Sequence, residues 1–211
     1  MTLQRFTALL LIIGPILPFL MFPIWPSSDA ESTAESVKAI GDNTTLSTIV
    51  FTVAHLGFAG FVTGYFLLTK QLQNGVAGGA ATVANAMLIL SAPLIVLQFG
   101  LRLATISSIS DPQISEPIIV ETLLVVSRTA GDATGLFAGI AMVLGAYVLR
   151  QRNVNAVLTT ALAIAGIGFI VDTFLSGNSD LVDTIGFVTW IWFSLSTIAV
   201  GVFAYRNKLT I

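Results

Sequence analysis

Six times between residues 6 and 205 the chain runs through a predominantly apolar stretch long enough to cross a bilayer: 6–25, 47–69, 78–103, 118–149, 154–175 and 181–205. A spanning helix needs about 20 such residues, at ~1.5 Å each, to cover a hydrocarbon core ~30 Å thick. The pattern predicts an all-α, polytopic transmembrane bundle of six helices, with residues 1–211 as one domain. Composition bears on this at one point. With 55% hydrophobic and only 9% charged residues, there is too little polar surface to cover a soluble globule of 211 residues.

The basic residues fix the expected orientation. Arg5, Lys70, Arg150, Arg152, Arg206 and Lys208 fall on one side of the six runs. The opposite loops hold Lys38 as their single base, against Asp29, Glu31, Glu35, Asp42, Asp111, Glu116 and Asp180. The positive-inside rule then places both termini in the cytoplasm, in a plasma or bacterial inner membrane. Tyr65, Tyr147 and Tyr205 precede Lys70, Arg150 and Arg206 as an aromatic and basic belt on that side.

The first run carries Pro15 and Pro18 and predicts a proline-kinked helix, with the carbonyls of Leu11 and Gly14 freed. A cleaved signal peptide, with Ser28 and Ala30 before the cut, is the competing reading, but the apolar run exceeds the usual ~7–15-residue core. The acidic segment that follows has Ser28 and Glu31 at capping-box spacing. It predicts a short surface helix with Ala30, Ala34 and Val37 as its apolar edge. Asn43-Thr44-Thr45 fits a glycosylation sequon, and residues 104–117 read as a Ser/Pro-containing loop.

Charge inside the runs is scarce, and it gathers at one depth. Glu121, Arg128 and Asp132 project to one side of the fourth helix. Asp132 lies about 27 Å and Arg128 about 33 Å above Arg150, near the far membrane edge. His55, Gln98, Arg102 and Asp172 fall at the same level, with Asp183 at the rim. Ionisable groups in a span are candidates for a ligand site or an ion-pair network. The expected partners of Arg128 and Asp132 are Arg102 and Asp172. Trp190 and Trp192 stand about 200° apart on a helix, so one of them at most lines such a site. Small-residue edges at Gly60 and Gly64, and at Gly131, Gly135 and Gly139, predict close helix packing.

Other chemistries find no support. There is no cysteine and a single histidine, which removes thiolate nucleophiles, disulfides and histidine-rich metal centres. No phosphate loop, Gly-x-Ser-x-Gly, His-Glu-x-x-His or paired acidic motif occurs, so an intramembrane enzyme has no positive signal and no cofactor is specified. A net charge of -2 without a basic run does not address nucleic acid. Two functions remain. One is binding, transporting or sensing a small solute or ion through an outward-facing cluster. The other is a non-catalytic accessory subunit of a larger membrane complex or homo-oligomer, with the ion pairs only setting register.

The layout of a kinked first helix and five further spans, with Leu144-Gly145-Ala146-Tyr147-Val148-Leu149-Arg150 turning directly into an alanine- and glycine-rich fifth span, resembles the uncharacterised six-helix bacterial membrane proteins grouped as domains of unknown function. The resemblance implies a fold neighbourhood and carries neither an activity nor site residues to this chain.

Overall fold

The computed structural model describes residues 2–26, 30–111, 116–175 and 180–206, with only the backbone of 180–183 and 185. Ser28, Ser179, Lys208 and the side chains of Asp180 and Asp183 therefore lie outside the described residues. Seven α-helices follow in order: α1 (Leu3–Met21), α2 (Thr33–Asp42), α3 (Thr44–Leu72), α4 (Gly78–Ser110), α5 (Pro117–Gln151), α6 (Ala156–Leu175) and α7 (Asp180–Tyr205). All but α2 are long and apolar enough to cross a membrane, and the chain is a multi-pass membrane protein.

Short links make successive spans antiparallel, and each span packs against the next. α1 meets α3, α3 meets α4, α4 meets α5, α5 meets α6, α6 meets α7, and α7 returns to α1, so the six close into a ring. The middle is filled from α3, α6 and α7 by an aromatic cluster. The Phe61 ring stands 4.7 Å from Phe193, and Phe169 stands 4.9 Å from Phe193 and 5.5 Å from Trp190. Below it Tyr65, Leu68, Leu88, Met142, Leu149 and Leu162 are fully buried. Arg5, Lys70, Arg150, Arg152 and Arg206 gather at the end opposite α2.

The closest helix contacts run through glycines. A Cβ built on Gly139 would stand 2.6 Å from the Gly166 carbonyl oxygen, and one on Gly166 would stand 2.6 Å from that of Gly139. α5 and α6 therefore cross backbone to backbone at this pair. α1 and α3 do the same at Gly14 and Gly57. Pro18 lacks the N–H that would bond the Gly14 carbonyl, and a Cβ on Gly57 would stand 2.6 Å from that oxygen. Gly64 is tight against Leu10 and Leu11 at 3.1 Å, whereas Gly60 has only ordinary contacts, the nearest at 3.6 Å. The expected backbone contact at Gly135 is corrected: its nearest neighbours are the side chains of Thr173 at 3.7 Å and Phe169 at 3.8 Å. Gly131 meets no backbone either. It makes room for the Gln98 side chain.

Two local expectations also change. α4 does not stop near residue 103 but runs on to Ser110, because Thr105 and Ser110 turn their hydroxyls back onto the carbonyls of Leu101 and Ile106, at 2.9 and 3.1 Å. Serine and threonine that read as loop formers are thus accommodated inside a helix. α2 is capped by Ser32, whose Oγ accepts from the Glu35 N–H, while the Glu35 carboxylate accepts from the Glu31 N–H at 2.8 Å. Its buried edge is Ser36 and Ile40, four apart, with Val37 half-buried and Ala34 exposed. This edge faces protein. Ile40 joins Val50, Phe51, Ile106 and Leu124 in a second apolar core, so α2 roofs the ends of α3, α4 and α5.

Candidate functional site

Beneath that roof the ring is not filled. Between the α2 end and the aromatic cluster lies a cavity of about 240 Å³. Gln98 and Arg102 enter it from α4, and Arg128, Gly131, Asp132, Thr134, Gly135 and Ala138 from α5. Asp172, Thr173 and Phe169 line it from α6, Trp190 from α7, and Phe58 and Phe61 from α3. Depth sorts these residues. α5 descends from the α2 end, so Arg128 lies about 15 Å above Ala138, ten residues on. Charged groups therefore line the mouth, and aromatic rings with Ala138 line the floor.

Arg102 is the residue the surroundings treat least well. It is only 6% exposed, with its guanidinium 5.1 Å from the centre of the Phe51 ring. Its Nε and Nη1 are buried without a hydrogen-bond partner. Among the described residues no carboxylate pairs with it, and the charge that bears on it is the like charge of Arg128. Because α4 continues two turns beyond Arg102 and α2 covers it, the side chain does not reach headgroups or water as an edge residue would.

The other charges are better served. Arg128 is exposed and donates from Nη2 to the Ser36 Oγ of α2 at 2.7 Å, so its partner is the roof and not the expected Arg102 or Asp172 site. Asp132 sits one turn further along α5, where Arg128 offsets its charge, and its backbone carbonyl accepts from the Thr173 hydroxyl at 3.2 Å. Asp172 reaches the cavity from the opposite side of α5 to Arg102, since α4 and α6 flank α5. Among the described residues no direct ion pair joins Arg102, Arg128 and Asp132: Arg102 enters from α4, and Arg128, one turn from Asp132 on α5, turns to Ser36. Glu121 does not line the cavity.

His55 does not line the cavity, though it stands near Gln98 and Arg102. It lies behind the wall between Phe58 and Phe99, and its Nδ1–H donates to the Phe51 carbonyl at 2.6 Å. That bond leaves Nε2 as the lone-pair nitrogen, buried without a partner. Of the two tryptophans, Trp190 lines the cavity, while Trp192 turns outward and donates to the Ala161 carbonyl at 2.9 Å. Phe58, Phe61, Phe169 and Ser36 gave no signal in the sequence. In a chain this apolar a cavity-lining phenylalanine looks like a core one, and Ser36 matters only once α2 has docked. Among the described residues no three metal-ligating side chains gather.

Fold and site together define a multi-pass helical membrane protein with a roofed, charged cavity in one half of its ring. The family model described as "Domain of unknown function (DUF4386)" matches residues 6–207, and the chain belongs to that family. No curated protein and no solved structure matches it.

Proposed function

We propose that the protein binds a small anionic solute in this cavity, taken up from the outer face of the membrane. The observation that carries the reading is Arg102, a buried cation that, among the described residues, has no carboxylate against it and two donors without a partner. An unpaired buried charge is costly, and its cation–π contact with Phe51 offsets only part of that cost. A ligand anion in the cavity that Arg102 lines would supply the charge. Arg128 at the mouth adds attraction for an approaching anion.

The test is the melting temperature of the purified protein against a panel of small anions. A ligand at 100 times its Kd adds about 2.7 kcal/mol to stability, which reads as a shift of several degrees. At least one anion is expected to produce it, and Arg102→Gln to remove it. A panel without effect, or a shift that persists in Arg102→Gln, contradicts the reading.

The outward direction of the α2 end rests on the basic residues collected at the other end. The chain has no cysteine, so a single introduced one is the only thiol to label. Ala34→Cys and Glu116→Cys are expected to react with an impermeant reagent applied outside intact cells. Asn74→Cys and Gln151→Cys, all four positions being exposed, are expected not to. Labelling at Gln151 from outside would reverse the orientation.

A further inference from the structure

We infer that the ligand class is a small organic monoanion with an apolar or aromatic body, such as a monocarboxylate, and not a hydrated inorganic anion or a polyanion. This rests on the anion-site reading above and narrows it. Charge gives the first restriction. Two arginines and two aspartates line the cavity, so its walls carry no large excess of charge, and among the described residues Arg102 is the buried cation that no carboxylate contacts. One negative charge compensates it. A second would meet the carboxylates of Asp132 and Asp172 that line the same cavity.

Size and polarity give the second restriction. A volume of about 240 Å³ is that of a small-molecule pocket. The floor is Phe58, Phe61, Ala138, Phe169 and Trp190. These side chains offer an anion no hydrogen-bond acceptor or donor beyond the indole N–H, so a hydrated ion seated above them gives up water without replacement. An organic anion avoids this cost. Its charged end takes Arg102 with Gln98 alongside, and its body displaces water from the rings.

The probe is Trp190 itself. In a chain carrying Trp25→Phe and Trp192→Phe it is the sole tryptophan, and its emission reports on the cavity. Benzoate is expected to change that emission saturably, and to bind about tenfold or more tighter than chloride, phosphate or its neutral analogue benzyl alcohol. Arg102→Gln is expected to abolish the benzoate response. Gly135→Leu serves as a second variant, because Gly135 lines the cavity, and its melting temperature is measured first to establish that it folds. It too is expected to block benzoate.

Outcomes separate the two claims. Chloride or phosphate binding as tightly as benzoate, and lost in Arg102→Gln, would overturn the organic class while leaving an anion site. Benzyl alcohol matching benzoate, or silence from every anion, would overturn both.

Discussion

Gly166→Leu is expected to destabilise the protein by about 3 kcal/mol or more, enough to remove most folded material from a detergent extract. The first carbon of any side chain at this position would stand 2.6 Å from the Gly139 carbonyl oxygen, 2.9 Å from Val143 and 3.0 Å from Met142. Backbone oxygen cannot rotate aside, so α5 and α6 would have to separate along their whole contact. Without a hydrophobic drive between helices in lipid, that close fit is what holds the pair together. Gly135→Ala, one helical turn from Gly139, is the matched control. Its new methyl meets only side chains at 3.7 and 3.8 Å, and alanine is the better helix former by roughly 0.5–1 kcal/mol. Thermal unfolding of both variants checks the pair. Gly166→Leu melting like the native chain would mean the two helices do not cross there.

Arg102→Met is expected to have the opposite sign: a gain in stability of about 1–3 kcal/mol without ligand, and complete loss of anion binding. Methionine keeps an unbranched chain against Phe51 while removing a buried cation whose Nε and Nη1 meet no acceptor among the described residues. The lost cation–π contact subtracts from the gain, but a desolvated charge without a counter-ion costs more than one ring returns. Stability given up at a binding site is a familiar exchange. A fall of several kcal/mol in Arg102→Met would instead mark Arg102 as a structural partner, in line with an accessory-subunit role.

The sequence made the six spans legible because apolar runs of that length have few alternatives in water or lipid. Gln98, Arg102, Arg128, Asp132 and Asp172 stood out for the same reason, as rare polar groups set in apolar runs, and all five line the one cavity. What stayed hidden depends on rotation and docking. The packing glycines Gly14, Gly57 and Gly166 look no different in sequence from Gly60 and Gly135, since only the crossing point decides which of them meets a backbone. The burial of Arg102 was illegible because it follows from two tertiary facts, the continuation of α4 to Ser110 and the seating of Ile40 and Ser36 over α3, α4 and α5. His55, level with the cluster by residue count, does not line the cavity, and its Nδ1–H is taken by the Phe51 carbonyl.

The most direct test is an experimental structure of the purified protein in a lipid nanodisc with saturating benzoate. Density for one carboxylate is expected within about 3 Å of the Arg102 guanidinium, with the ring lying toward Phe169 and Trp190. An Arg102 paired to Asp132 or Asp172 in a closed, protein-filled core, with no ligand density beside it, would contradict the binding role.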